Sequence, residues 1–425
     1  MKRFLAALLA ALGLMGTLSG CSLNLAASPE DLYTLPQLPA EYAELNHSIR
    51  QLIEAGAEYA APTAGTNLQP LQLVDLDGDG EEEALAFLRR GSDERALKIY
   101  IYERTESGYT QSAVIEGSGT AVYSVDYRDL DGDGHQEILV SWKVGPEVQA
   151  LSVFTLRLGT PRELMNSSYI RYAAADLDGD GREEILTFRA DEQGAGTAEY
   201  YAWADDGTLV PAGVARLSMT MAELSAGQVL SGTLRGGEPA VFATGVSDSR
   251  VQVTDILALR DGELGNLTVS DSTGVSREIY RYLGLFPTDI DGDGVTELPV
   301  PEELLSSGDT ESGCRVSWRS YDAAGTGETA LSAYHALADG WYLVLPESWG
   351  EGLSVRTEGT GTDASMASFG IGAGDGRIEI LRIYTFSGEN RETLAAKGGR
   401  VLLSREGETI YSAELLEAGA FTLTE

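Results

Sequence analysis

The sequence predicts a mainly β protein assembled from repeated four-stranded sheets, a β-propeller-like array with about five visible blades, followed by a small C-terminal α+β domain. Three observations carry that prediction. An Asp- and Gly-rich nine-residue motif recurs four times at a near-regular period. Each copy runs directly into a short apolar segment of strand character. Gly supplies 50 of the 425 residues, well above the usual ~7% and without the three-residue period of collagen, so the excess belongs to many turns.

The bulk numbers agree with a folded, water-facing chain. Hydrophobic residues are 43% and charged residues 23%, ordinary globular usage, and the length allows two or three domains at ~150 residues each. Acids outnumber bases 66 to 30, for a net charge of −36. So negative a surface repels phosphate backbones, which sets nucleic acid aside as a partner.

Lys2 and Arg3 precede an apolar run from Phe4 to Leu18, shorter than the ~20 residues of a membrane span and shaped like an export signal. Leu18-Ser19-Gly20-Cys21 closes the run and resembles the lipobox of bacterial lipoproteins, which implies acylation of Cys21 as the new N-terminus. Residues 1–20 then form a signal peptide and 21–37 a small, polar tether, and the protein is expected outside the cytoplasm, lipid-anchored to the bacterial membrane. The only other cysteine is Cys314. With Cys21 lipidated no intrachain disulfide is available, so an exported chain must be stabilised by its core or by metal. Within the lead-in, residues 38–65, the apolar side chains of Tyr42, Leu45, Ile49, Leu52 and Ile53 fall at helical spacing between Pro39 and Ala55, with Gly56 just past the end. Glu41, Glu44 and Glu54 on the other face argue for packing on the folded body rather than on a membrane.

The four motif copies supply candidate ligands: Asp75, Asp77, Asp79, Glu81 and Glu83; Asp129, Asp131, Asp133, His135 and Glu137; Asp176, Asp178, Asp180, Arg182 and Glu184; Asp289, Asp291, Asp293, Val295 and Glu297. The common pattern is DxDGDGxxE. Carboxylates at positions 1, 3 and 5 turn toward one centre only if the chain curls tightly, and glycines at 4 and 6 permit the backbone angles this needs. Position 7 is Glu, His, Arg or Val, which makes sense for a backbone carbonyl and none for a side-chain ligand. All-oxygen donors favour Ca²⁺ over zinc or copper, so about four structural calcium ions are expected. A single copy could be a solvated Asp-Gly turn; four in one register, each beside an apolar run, argue against that. The loops are not EF-hands, because position 12 is Ala86, Val140, Thr187 or Val300 instead of Glu and strands follow instead of a helix. Nor do they follow one another closely among many cysteines, as thrombospondin-type loops do.

Spacing gives the architecture. The first Asp residues lie 54, 47 and 113 residues apart, the last interval being close to two periods. A degenerate, metal-free repeat is therefore expected near Gly232, where Val229-Leu230 and Ala240-Val241-Phe242 keep the apolar flanks without any Asp. Five repeats of this size match four-stranded blades, and Leu97–Tyr102 and Leu151–Leu156 alternate as further strands. Across residues 66–335 these loops and strands resemble the FG-GAP or VCBS repeats of integrin-type β-propellers. That resemblance implies one Ca²⁺ between the first two strands of each blade, held by positions 1, 3, 5, 7 and 9. The Phe-Gly and Gly-Ala-Pro signatures are not intact here, and integrin-type propellers have seven blades.

Past residue 336 the period stops. Trp341–Leu345, Ile378–Phe386 and Thr409–Leu415 read as strands and Arg391–Ala396 as a short helix, an α+β module over 336–425. Gly370, Gly372, Gly374 and Gly376 suit a turn, since the segment lacks the Lys-Ser/Thr of a phosphate loop. His47, His135 and His335 are the only histidines, on the helix, in a loop and at the domain junction, so no His-centred triad or zinc site is expected. Trp142, Trp203, Trp318 and Trp349 are expected in packing more than in ligand contact. The functional expectation is a non-catalytic, membrane-anchored calcium-binding scaffold for a protein or glycan ligand. The alternative is a cell-surface polysaccharide hydrolase or lyase on the same scaffold, since paired acids are always present among so many.

Overall fold

The structure, a computed structural model, describes residues 42–416 apart from 92, 107, 118, 147, 271, 305–312, 362 and 373–375. The expected signal peptide, Cys21 and the tether lie outside the described residues, as does part of the Gly370–Gly376 turn.

Among the described residues six antiparallel sheets follow one another. After helix α1 (Ala43–Glu54), sheet 1 contains β1 (Glu58–Tyr59), β2 (Leu71–Val74), β3 (Glu83–Arg89), β4 (Leu97–Thr105) and β5 (Gly108–Gly117), with β1 and β2 pairing in turn along β3. Sheet 2 is the meander β6 (Ala121–Arg128), β7 (Glu137–Lys143), β8 (Gln149–Thr155) and β9 (Arg162–Tyr169). Sheet 3 repeats it with β10 (Arg171–Ala175), β11 (Glu184–Ala190), β12 (Gly196–Trp203) and β13 (Leu209–Arg216). Helix α2 (Met221–Ser225) leads into sheet 4, made of β14 (Gln228–Thr233), β15 (Pro239–Val246), β16 (Val251–Arg260) and β17 (Glu263–Asn266), with β18 (Ile279–Arg281) paired to β16. Sheet 5 contains β19 (Leu298–Glu302), β20 (Cys314–Tyr321), β21 (Gly327–Ala336) and β22 (Trp341–Val344). Sheet 6 contains β23 (Leu353–Gly361), β24 (Ala364–Ile371), β25 (Ile378–Phe386), β26 (Val401–Glu406) and β27 (Thr409–Leu415), in spatial order β23-β24-β25-β27-β26, with helix α3 (Arg391–Ala395) before β26.

The protein is thus mainly β, with sheets of the four- and five-stranded kind that make propeller blades. The apolar runs after the acidic loops become β3, β7, β11 and β19, and the first three are buried almost end to end. A strand inside a stack of sheets has neighbours on both faces, so its sequence is continuously apolar instead of alternating. The outer strand β13 alternates irregularly and exposes Val210 and Val214. Side chains from successive sheets share cores. Phe87 and Ile99 of sheet 1 meet Val140 and Trp142 of sheet 2; Leu139 meets Ile185 across sheets 2 and 3; Phe188 meets Val241 across 3 and 4; Phe242 meets Leu298 and Tyr321 across 4 and 5; Tyr334 meets Phe369 across 5 and 6. Each such aliphatic or aromatic side chain contributes about 1.5–3 kcal/mol on burial.

The degenerate repeat is sheet 4. Its β14–β15 turn closes through the Leu234 N–H to the Glu238 carbonyl, with Gly237 at φ +92°. Two boundaries shift from the sequence reading. Sheet 1 begins at Glu58, before residue 66, because β1 extends the pairing along β3 where β2 stops. Sheet 5 runs to Val344, beyond residue 335, because the turn at Gly340 returns β22 onto β21. Residues Leu353–Leu415 form a further sheet that shares a core with sheet 5. Among the described residues no core cluster joins sheet 6 to sheet 1. Helix α1 lies against sheet 1, with Leu45 and Ile49 buried beside Leu88 and Tyr102, and Gly56 at φ +92° ends it.

Candidate metal centres

Each DxDGDGxxE segment folds around its own first aspartate. The Asp75 carboxylate accepts the N–H of Gly78 at 2.8 Å and of Gly80 at 3.1 Å. Asp176 repeats this with Gly179 and Gly181 at 2.7 and 3.0 Å, and Asp289 with Gly292 and Gly294 at 2.7 and 2.9 Å. Asp129 accepts from Asp133 and Gly134 at 3.0 and 2.9 Å. The fold needs left-handed backbone at positions 4 and 6: Gly78 and Gly80 have φ of +74° and +89°, and the other three loops repeat the pair. A Cβ there is strained, which is why the motif keeps two glycines.

Position 5 turns back on the loop. Asp79, Asp133, Asp180 and Asp293 each accept the N–H two residues on, at 2.7 to 2.9 Å. Position 9 opens the next strand, or directly precedes it in the fourth loop, and points inward. Glu83, Glu137, Glu184 and Glu297 are 6, 1, 1 and 0% exposed, and each takes the N–H of position 2 (Leu76, Leu130, Leu177, Ile290) at 2.8 to 3.2 Å. The other oxygen, Oε1, of Glu297 is buried with no hydrogen-bond partner, whereas Glu137 also has the Thr155 hydroxyl beside it. In all four loops positions 1, 3 and 9 bring one ligand oxygen each within 4.8 Å of one another.

Burial first, then repulsion from the loop aspartates, raises Glu83, Glu137, Glu184 and Glu297 to a pKa of about 7, against the opposing pull of the position-2 N–H. A buried carboxyl with an orphaned oxygen among other carboxylates lacks a counter-charge, and a hard divalent cation supplies one. The donor set fits such an ion: oxygens only, three from acids held by the backbone.

At position 7 the side chains do other things. Glu81 pairs with Arg104 at 2.9 Å, Arg182 with Asp180 at 2.5 Å, and His135 is half-buried. Sequence reasoning missed three arginines. Arg157, from the β8–β9 hairpin, sits on Asp131 at 3.1 Å and on Asp133. Arg128 holds Glu183 at 2.9 Å. Arg235 occupies the degenerate turn and reaches Glu328 and, at 3.6 Å, Asp322 across the sheet 4 to sheet 5 boundary. The missing Asp residues near Gly232 were a signal for Arg235; nothing local in the sequence marks Arg157.

Residues 75–140 match an FG-GAP-like repeat. That stretch is the first acidic loop, β3 to β5 of sheet 1, and β6, the second loop and the start of β7 of sheet 2. No curated protein matches the chain. Among solved structures it is similar to a protein from Lactobacillus plantarum, at 13% identity over 72% of this chain and 82% of that one with a TM-score of 0.26. It is also similar to Sqt1 from Chaetomium thermophilum, at 11% identity over 79% and 93% with a TM-score of 0.29.

The remaining candidates sort by burial. Trp142, Trp318 and Trp349 are core residues at 1, 2 and 4% exposure. Trp203 is half-buried, its indole N–H given to the Glu183 carbonyl at 2.9 Å and its ring beneath Arg182. His47 meets Gln51 on the exposed side of α1. His335 is buried, and its Nε2 accepts the Trp318 indole N–H at 3.0 Å. Cys314 is a free, buried thiol.

Proposed function

We propose that this chain is a lipid-anchored, extracytoplasmic scaffold whose blade corners are pinned by about four structural calcium ions, and that it binds another molecule without chemistry of its own. One observation carries the calcium reading: in each of four loops a buried glutamate stands among aspartates, and in the fourth its Oε1 has no partner. The ion would be held by positions 1, 3, 5 and 9 and the position-7 carbonyl, and it would supply the positive charge that lets the acids ionise together. Binding of an ion to the folded loops would stabilise the fold by mass action. Extracellular sites work at Kd on the order of 10⁻⁴ to 10⁻³ M, because calcium is abundant there. Anchoring rests on Leu18-Ser19-Gly20-Cys21, and the non-catalytic reading on the wide separation of the three histidines.

The test is calcium stoichiometry and melting. Close to four ions should bind, chelation should lower Tm, and magnesium should restore it poorly. Unchanged melting in excess chelator overturns the calcium reading. Cys21→Ser should release the protein from membranes, and glycan retention without turnover separates a binding scaffold from a hydrolase or lyase.

A further inference from the structure

The first three loops are joined to one another by their backbones. The Gln136 N–H, at position 8 of loop 2, donates to the carbonyl of Leu76, at position 2 of loop 1, at 2.7 Å. The Glu183 N–H of loop 3 donates in the same way to the Leu130 carbonyl of loop 2 at 2.6 Å. Those position-2 residues are also the ones whose own N–H holds the buried glutamate of their loop. One peptide run therefore links each metal-facing glutamate to the backbone beside the next. The loops also touch: a Cβ on Gly78 would lie 2.7 Å from the Gly134 carbonyl, and one on Gly132 3.3 Å from that of Gly181. The fourth acidic loop has a different neighbour. Its position-8 N–H, from Thr296, goes to Thr233 on the degenerate repeat at 2.9 Å.

From this linkage we propose that loops 1 to 3 bind their ions as one cooperative set while the Asp289–Glu297 loop binds its ion independently; the inference rests on the calcium reading above. An ion that fixes Glu83 fixes Leu76, and the Leu76 carbonyl then holds the Gln136 N–H one residue from Glu137. The cost of ordering the second loop falls once the first is filled. Electrostatics acts in the opposite sense, because neutralising one acidic loop weakens the pull on an ion entering the next. That repulsive part decays over ~8 Å in 0.15 M salt, whereas a hydrogen-bonded backbone link is insensitive to salt.

Calcium titration of the full chain by calorimetry in 0.15 M and 0.5 M KCl decides between them. The expected isotherm has a steep three-ion step, with a Hill coefficient of at least about 1.5 in both salts, and a separate one-ion step. Asp77→Asn should remove one ion and weaken the other two of the set about fivefold or more, the lower end of ordinary coupling. Asp291→Asn should remove one ion and leave the three-ion step in place. Should a variant not fold, the wild-type isotherm carries the test alone. Four independent sites, or an Asp77→Asn protein whose remaining midpoints move less than about twofold, overturn the coupling and leave the calcium reading intact. No calcium binding at all overturns both.

Discussion

Metal binding should expel protons, and the number should depend steeply on pH. Glu83, Glu137, Glu184 and Glu297 stand near pKa 7 without metal, whereas an ion requires them ionised. At pH 6 each is roughly 90% protonated and at pH 8 roughly 10%, by the ordinary titration curve about a pKa of 7. Filling four loops should therefore release about 3.6 protons at pH 6 and about 0.4 at pH 8, with apparent affinity about tenfold weaker per site at the lower pH. Calorimetry in buffers of different ionisation enthalpy counts these protons directly. The same carboxyls set a stability trend in metal-free protein. Their folded pKa lies above the unfolded value of 4.5, so they contribute stability below pH 4.5 that is lost as pH rises through 7. At ~1.4 kcal/mol per unit the loss is at most about 3 kcal/mol per site, reduced by water on the outer side of each loop. Calcium should abolish the trend. Equal proton counts at pH 6 and pH 8 would refute the buried-glutamate reasoning.

Three further outcomes follow from particular contacts. Arg157 lies on Asp131 and Asp133 and so competes with a cation there; Arg157→Gln should tighten calcium binding by loop 2, read as a lower midpoint for the cooperative step. Burial lowers His335 to a pKa of about 4, below the unfolded 6.5, so the neutral ring contributes stability above pH 6.5 that is lost as pH falls toward 4. His335→Gln should remove that acid-sensitive part, on the order of 1–3 kcal/mol, from denaturant melts of metal-free protein. Gly117, at the end of β5, faces the Trp142 ring so closely that a Cβ would enter it. Gly117→Ala should lower stability by about 1–3 kcal/mol through displacement of Trp142, seen as a shift in Tm and in tryptophan fluorescence.

The acidic loops were legible from sequence because everything that shapes them lies within nine residues. The Asp75 carboxylate caps Gly78 and Gly80, and Glu83 returns to Leu76, so spacing alone specifies the geometry. The central strands were equally legible, since a strand covered on both faces shows an unbroken apolar run, as at Ala84–Leu88. The C-terminal strands Ile378–Phe386 and Thr409–Leu415 were found at their bounds. Their place was not, because nothing in a strand's own pattern says that Phe369 beside them will meet Tyr334 of another sheet. Arg235 was half legible: the lost aspartates announced a corner without the acidic ligand set, but not the arginine that spans it to Asp322 and Glu328.

Sequence alone determined the repeated motif, its hard-oxygen chemistry, the period of the sheets and the one repeat that lacks the aspartates, since all of these are carried by short-range spacing and residue type. Tertiary structure decided which loops touch, that Leu76 and Leu130 link one loop to the next, that Arg157 crosses from a hairpin onto Asp131, and that a sixth sheet shares a core with the fifth. Those contacts join residues tens of positions apart, and such pairings follow from how whole sheets pack, not from any local preference of the chain.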